Sequence, residues 1–108
     1  MRTLRFIVEG ETIRQDPSCD FSGLFPGRNP DVKAEFRFSP EWDSRVKVAA
    51  FWSTLNVEYK PQEIKDNFCI IPSEALLRPI FKIQIFGKKH KNVLTTNKLD
   101  IRQSGDRR

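Results

Sequence analysis

Residues 36–52 read FRFSPEWDSRVKVAAFW, from Phe36 to Trp52, and this stretch decides the fold. Val32, Ala34, Phe36 and Phe38 recur at every second position with Lys33, Glu35 and Arg37 between them, the pattern of a strand with one buried and one wet face. Val46, Val48, Ala50 and Trp52 repeat it, although Ala49 and Phe51 make the opposite face apolar as well. That second strand is therefore expected to be central or covered on its outer side. Between the strands, Ser39 can cap a turn, Pro40 suits its first position, and Glu41 complements the exposed amides there. Trp42 is expected to fold over the open end of the core. The segment reads as two strands joined by a corner.

Working outward, Leu4, Phe6 and Val8 alternate toward Gly10, and Glu11 to Gln15 continue after a turn or bulge. Asp16 to Asp31 is crowded with Pro, Gly, Ser, Asn and Asp, the chemistry of an ordered loop, with Phe21, Leu24 and Phe25 as its apolar pins. Val57 to Tyr59 and Phe68 to Ile71 are short strand candidates. A helical turn is expected near 73–78, with Ser73 as N-cap and Pro79 closing it. Phe81, Ile83 and Ile85 form a further alternating strand. Lys88 to Asn92 reads as a hairpin loop and Val93 to Arg102 as the return strand, leaving 103–108 as a polar, frayed tail. About seven short strands and one helical turn predict an all-β fold, an antiparallel β-sandwich of Ig-like or related type.

The chain has 108 residues, which fits one domain over 1–108 with one core. Apolar residues make up 38% and charged residues 31%, an ordinary globular composition. No apolar run approaches the ~20 residues of a membrane helix, and the N-terminus meets charge too soon for a signal peptide. Membrane insertion is not expected, and synthesis in the cytoplasm is. Cys19 and Cys69 without clustered histidines make no zinc site; a disulfide between them is one alternative, and two free, partly buried thiols are the expectation. The net charge of +5 is unevenly spread. Residues 1–77 hold ten Lys/Arg against twelve Asp/Glu, whereas 78–108 hold nine against two.

The catalytic inventory is thin. Glu41 and Asp43 could form an acid pair, but two carboxylates in one turn lack the substrate cleft such chemistry requires. His90 is the only histidine and sits among lysines, neither cysteine is near it in sequence, and no phosphate-loop or nucleophile-elbow motif occurs. The expectation is a protein without catalytic, cofactor-binding or metal-binding residues, not an enzyme. Lys88, Lys89, His90 and Lys91 are the partner-binding candidates. They could meet an acidic surface or phosphates, or they could be a solvated turn whose charges discourage edge pairing. Nucleic acid is the lesser expectation, because the nearby Phe81 and Phe86 fit core and flank positions better than a stacking platform.

The corner Ser39, Pro40, Glu41 and Trp42, with Lys47-Val48-Ala49-Ala50-Phe51 after it, resembles a recurrent small module of phage and prophage structural proteins of Gram-positive bacteria. The similarity extends to Cys69, Pro72, Glu74 and Leu76, to Gly87, to Thr95-Thr96-Asn97 and to the ETIRQD stretch, Glu11 to Asp16. Members of that family carry labels such as head fibre, tail fibre or baseplate protein. The resemblance implies a β-sandwich in the virion that docks to other phage structural proteins of capsid or tail, with homo-oligomer formation possible. Because the sequence ends at Arg108, a decoration protein, adaptor or anchor is expected rather than a long fibre. The alternatives from the residues alone are a phage protein that binds a host or defence factor, or a basic nucleic-acid binder.

Overall fold

The computed structural model describes residues 2–28 and 31–103, and these form an all-β sandwich. In chain order the strands are β1 (Arg2–Glu9), β2 (Thr12–Gln15), β3 (Val32–Phe38), β4 (Val46–Trp52), β5 (Gln62–Glu63), β6 (Phe68–Ile70), β7 (Ile80–Lys89), β8 (Asn92–Thr95) and β9 (Leu99–Arg102). A 3-10 turn, Pro40–Trp42, joins β3 to β4, and one short helix, α1 (Ser73–Leu76), precedes β7. The first sheet has the order β2-β1-β3-β6. The second runs β5-β4-β7-β8, with β9 also paired to β7.

Gly10 takes φ +57 and turns β1 into β2. The long loop then carries the chain back to the start of β1, so β3 lies parallel to it, Leu4 opposite Ala34 and Phe6 opposite Phe36. This parallel pair departs from the antiparallel pattern read from sequence. Parallel strands need a long connection, and residues 16–31 supply it. The loop is tied down where its apolar residues predict: Leu24 is buried, and Phe21 sets its ring edge-on to Phe6 at 5.6 Å. Phe25 is not a pin, being exposed with Arg28 over its ring. Asn29 and Pro30 lie outside the described residues.

The inner faces meet over one core. Leu4, Phe6, Val8, Ala34 and Phe36 of the first sheet pack toward Ala49, Phe51, Phe81, Ile83 and Ile85 of the second. Phe6 and Phe36 stack at 5.6 Å, and Phe51 meets Phe81 at 6.3 Å. Strand β4 presents Ala49 and Phe51 to this core, so the apolar series Val46, Val48, Ala50 and Trp52 lies on the outer face.

Other sequence expectations are corrected in detail. Among the described residues there are nine strands rather than about seven. Residues 57–59 form no strand: Glu58 makes a single bridge to Trp52, because the Ser53 hydroxyl accepts the Leu55 and Val57 amides and curls the chain there. The return strand 93–102 is split in two. At Thr96 the side-chain hydroxyl, not the backbone, accepts the Ile85 amide at 2.9 Å and donates to the Asn97 carbonyl. The helix begins at Ser73, with Pro72 in the N-cap place, so Ser73 caps nothing, and the element is shorter than 73–78. Gln103 does not fray: its amide group donates to the Leu76 and Arg78 carbonyls, each at 2.9 Å, and it is 1% exposed. Residues 104–108 of the expected tail lie outside the described residues.

Candidate functional site

The corner and the basic hairpin, far apart in sequence, occupy one end of the sandwich. Ser39 enters the corner extended, and its amide donates to Val8 O at 2.9 Å. Its hydroxyl makes no cap hydrogen bond to the turn. It accepts the Gly10 amide at 3.0 Å and hydrogen-bonds Glu41. That bond, with the local backbone amide, holds the Glu41 carboxyl below its ordinary range. Pro40 stands at the start of the turn, as its fixed φ favours. Trp42 is wholly buried: its indole N–H donates to the Gly10 carbonyl at 2.8 Å, and its ring leans on Phe38 at 5.4 Å. Beneath it lies Gly87, where an added Cβ would fall 2.6 Å from Trp42 Cζ3. The expected cover over the core is present, and it closes against β7.

Glu41 and Asp43 take different surroundings. Glu41 Oε2 lies 3.8 Å from the position a Cβ on Gly10 would take. Asp43 lines a shallow hollow with Glu35, Arg37, Phe38 and Lys47. The two carboxylates are neighbours in sequence that do not converge on a common hollow.

Arg45 joins the corner to the hairpin. Its Nε donates to the Glu41 carbonyl at 2.9 Å, and its terminal nitrogens reach Gly87 O at 3.1 Å, Asn92 O at 3.3 Å and Asn92 Oδ1 at 2.8 Å. Sequence reading gave Arg45 no role. The signal was a cation one turn after the Pro-Glu-Trp sequence, placed to satisfy the carbonyls at a helical turn's C-terminal end. In the hairpin, Lys88 pairs with Val93 and Lys89 with Asn92. His90 turns the tip with φ 57, and all four candidate residues, Lys88, Lys89, His90 and Lys91, are exposed. With Arg45 and Asn92, the last three line an open hollow of about 560 Å³. The basic residues thus project from a braced tip. At the other end, Leu55, Val57, Tyr59 and Ile80 border a groove of about 490 Å³.

Both cysteines are free thiols, Cys69 buried and Cys19 partly so. Burial pushes the Cys69 thiol up to about 12. Among the described residues no group of three or more His, Cys, Asp or Glu is placed to hold a metal ion, and no helix is long and apolar enough to cross a membrane. No family model, curated protein or solved structure matches this chain.

Proposed function

We propose that the protein is a non-enzymatic structural module of a phage particle that docks to other virion proteins as a decoration protein, adaptor or anchor. One observation carries the reading. Residues of the skeleton that resembles phage structural modules do framework work in this sandwich. Trp42 closes the core on Gly87, while Ala49, Phe51, Cys69 and Leu76 are buried in it. Thr96 fills the ladder between β8 and β9, and Asn97 crosses to the other sheet. There its Oδ1 accepts the Ile13 amide at 2.9 Å and its own amide donates to Glu11 O, within the ETIRQD stretch. A sequence pattern made of such positions supports a shared scaffold rather than a shared reaction. The test is mass spectrometry of purified particles after prophage induction or infection. The protein is expected at a fixed ratio to the major structural proteins, and its absence from washed particles would overturn the proposal.

A further inference from the structure

The two outer faces of the sandwich differ in kind. On the first sheet the charges are largely engaged locally: Arg5 pairs with Glu35 at 2.9 Å, Arg14 with Glu9 at 3.3 Å, and Lys33 covers the Phe68 ring at 4.2 Å. On the second sheet the outer face carries an apolar stripe. Cross-strand register sets Val46, Lys88 and Val93 in one row and Val48, Phe86 and Thr95 in the next. Val46 is 63% exposed and Val93 is 55% exposed, so two valines stand in water on either side of one lysine. Farther along the same face come Lys82 and Arg102, and Lys98 lies over the Trp52 ring at 3.9 Å. None of Lys82, Lys88, Lys98 and Arg102 makes an ion pair among the described residues. Three carboxylates share the face: Asp100, in register with Lys82; Glu63, beside Val48 on the edge strand and 3.9 Å from Lys65; and Glu58, bridged to Trp52 at the end away from Lys88. The braced basic tip bounds its upper end.

We infer that this outer face, centred on Val46, Lys88 and Val93, is the docking surface, and that it takes an acidic protein surface placing a carboxylate over Lys88 between apolar contacts. The inference rests on the docking reading and assigns it a face and a partner chemistry. A second copy of this chain is the poorer occupant, because a two-fold contact centred on the row of Val46, Lys88 and Val93 would set Lys88 against its own copy. Nucleic acid fits less well. The exposed apolar groups are aliphatic, one face of Trp52 is occupied by Lys98, and Phe86 is half-buried, so no row of aromatic faces is offered for stacking. An acidic protein surface with an apolar centre meets both properties of the stripe. Repeated copies on a particle would make even a small contact effective.

The test is an NMR titration of the full chain with three probes: a peptide alternating Glu and Val, the same peptide with Lys for Glu, and a short DNA duplex. The acidic peptide should shift amides along β4, β7 and β8 and should weaken with salt. Val46→Asp with Val93→Asp places charge at two exposed positions that bear little on folding, and it should weaken binding about tenfold or more. No shift on those strands, equal shifts with the lysine peptide, or tighter binding of DNA at the same amides would each overturn the inference. A parallel measurement follows particle incorporation. Loss of the double variant, with the wild type incorporated and both folded, supports the assigned face. Equal incorporation refutes the face while leaving the structural role standing. Absence of the wild type itself refutes the structural role, and the peptide titration then decides the face alone.

Discussion

Replacing Gly87 by alanine tests the closure of the sandwich most directly. The added Cβ would lie 2.6 Å from Trp42 Cζ3, 2.7 Å from Cε3 and 3.0 Å from Arg45 Cδ. Carbon atoms in good contact sit at about 3.5–4.0 Å, so the ring would have to retreat by roughly 1 Å. It has little room: the indole N–H is tied to Gly10 O at 2.8 Å, and Phe38 stands behind at 5.4 Å. Overpacking of this kind costs about 1–3 kcal/mol. For a chain of this size that is a fall in Tm of about 4–8 °C per kcal/mol. Trp42→Phe provides the partner for a double-mutant cycle. It removes the crowded edge and frees the ring from its hydrogen bond, while leaving the Gly10 carbonyl without its donor, a loss of about 1–3 kcal/mol. In that background Gly87→Ala should cost much less, with a coupling of about 1 kcal/mol or more between the sites. Urea and thermal unfolding of the four proteins would measure it. A Gly87→Ala cost within about 0.5 kcal/mol of zero, the usual range for surface substitutions, would refute the packing of indole on glycine. So would an equal cost in both backgrounds.

Trp42→Ala should cost about 3–5 kcal/mol by equilibrium unfolding, since a fully buried indole leaves a cavity behind. Asn97→Ala should cost about 1–3 kcal/mol by leaving the Ile13 amide without its acceptor, and exchange of that amide should accelerate. The Cys69 thiol, raised by burial from 9.0 to about 12, binds its proton more tightly folded than unfolded. Its contribution to stability is therefore complete below about 9 and declines as pH rises toward about 12. Cys69→Ala should flatten that alkaline loss, and iodoacetamide should label Cys19 well before Cys69 in the native protein. Glu41 behaves oppositely: its lowered carboxyl contributes stability above the unfolded value and loses it as pH falls through the folded one. Glu41→Gln should make the acid limb of a stability–pH curve shallower below about 4.5.

What sequence conveyed, and what it did not, divides by the range of the interaction. The alternations in β3 and β7 were legible because one face of each is apolar and the other polar. Strand β4 was not, because Val46, Val48, Ala50 and Trp52 rival Ala49 and Phe51 in hydrophobicity, and period two cannot choose between two apolar faces. The inner face even includes Lys47, whose ammonium sits 5.2 Å from the Phe38 ring centroid. Trp42 as a cover was readable from its place in a turn between two strands. Its partner Gly87 was not, since nothing in a glycine within a strand says which ring will press on it. Gln103 looked like tail because a polar residue followed by more polar residues carries no sign of the carbonyls waiting for it. Of the candidate site, the hairpin cations were evident from local charge. Arg45, which braces them, acts through contacts up to 47 positions away.

The outer face of the second sheet follows from the same ambiguity. A strand apolar on both sides must leave one side without a sheet to cover it, and here the uncovered side is Val46, Val48 and their cross-strand neighbours. Exposed sheet surface of this kind invites indiscriminate association unless charge interrupts it. Lys88 does that from between the exposed Val46 and Val93, and the braced tip adds Lys89 and Lys91 beside them. Copies of the chain, and other basic proteins, meet repulsion there. A carboxylate-bearing surface does not. Under the proposed docking role, the charges that keep this face from self-association also select its partner, and Arg45 keeps the tip in place by fixing the hairpin to the corner.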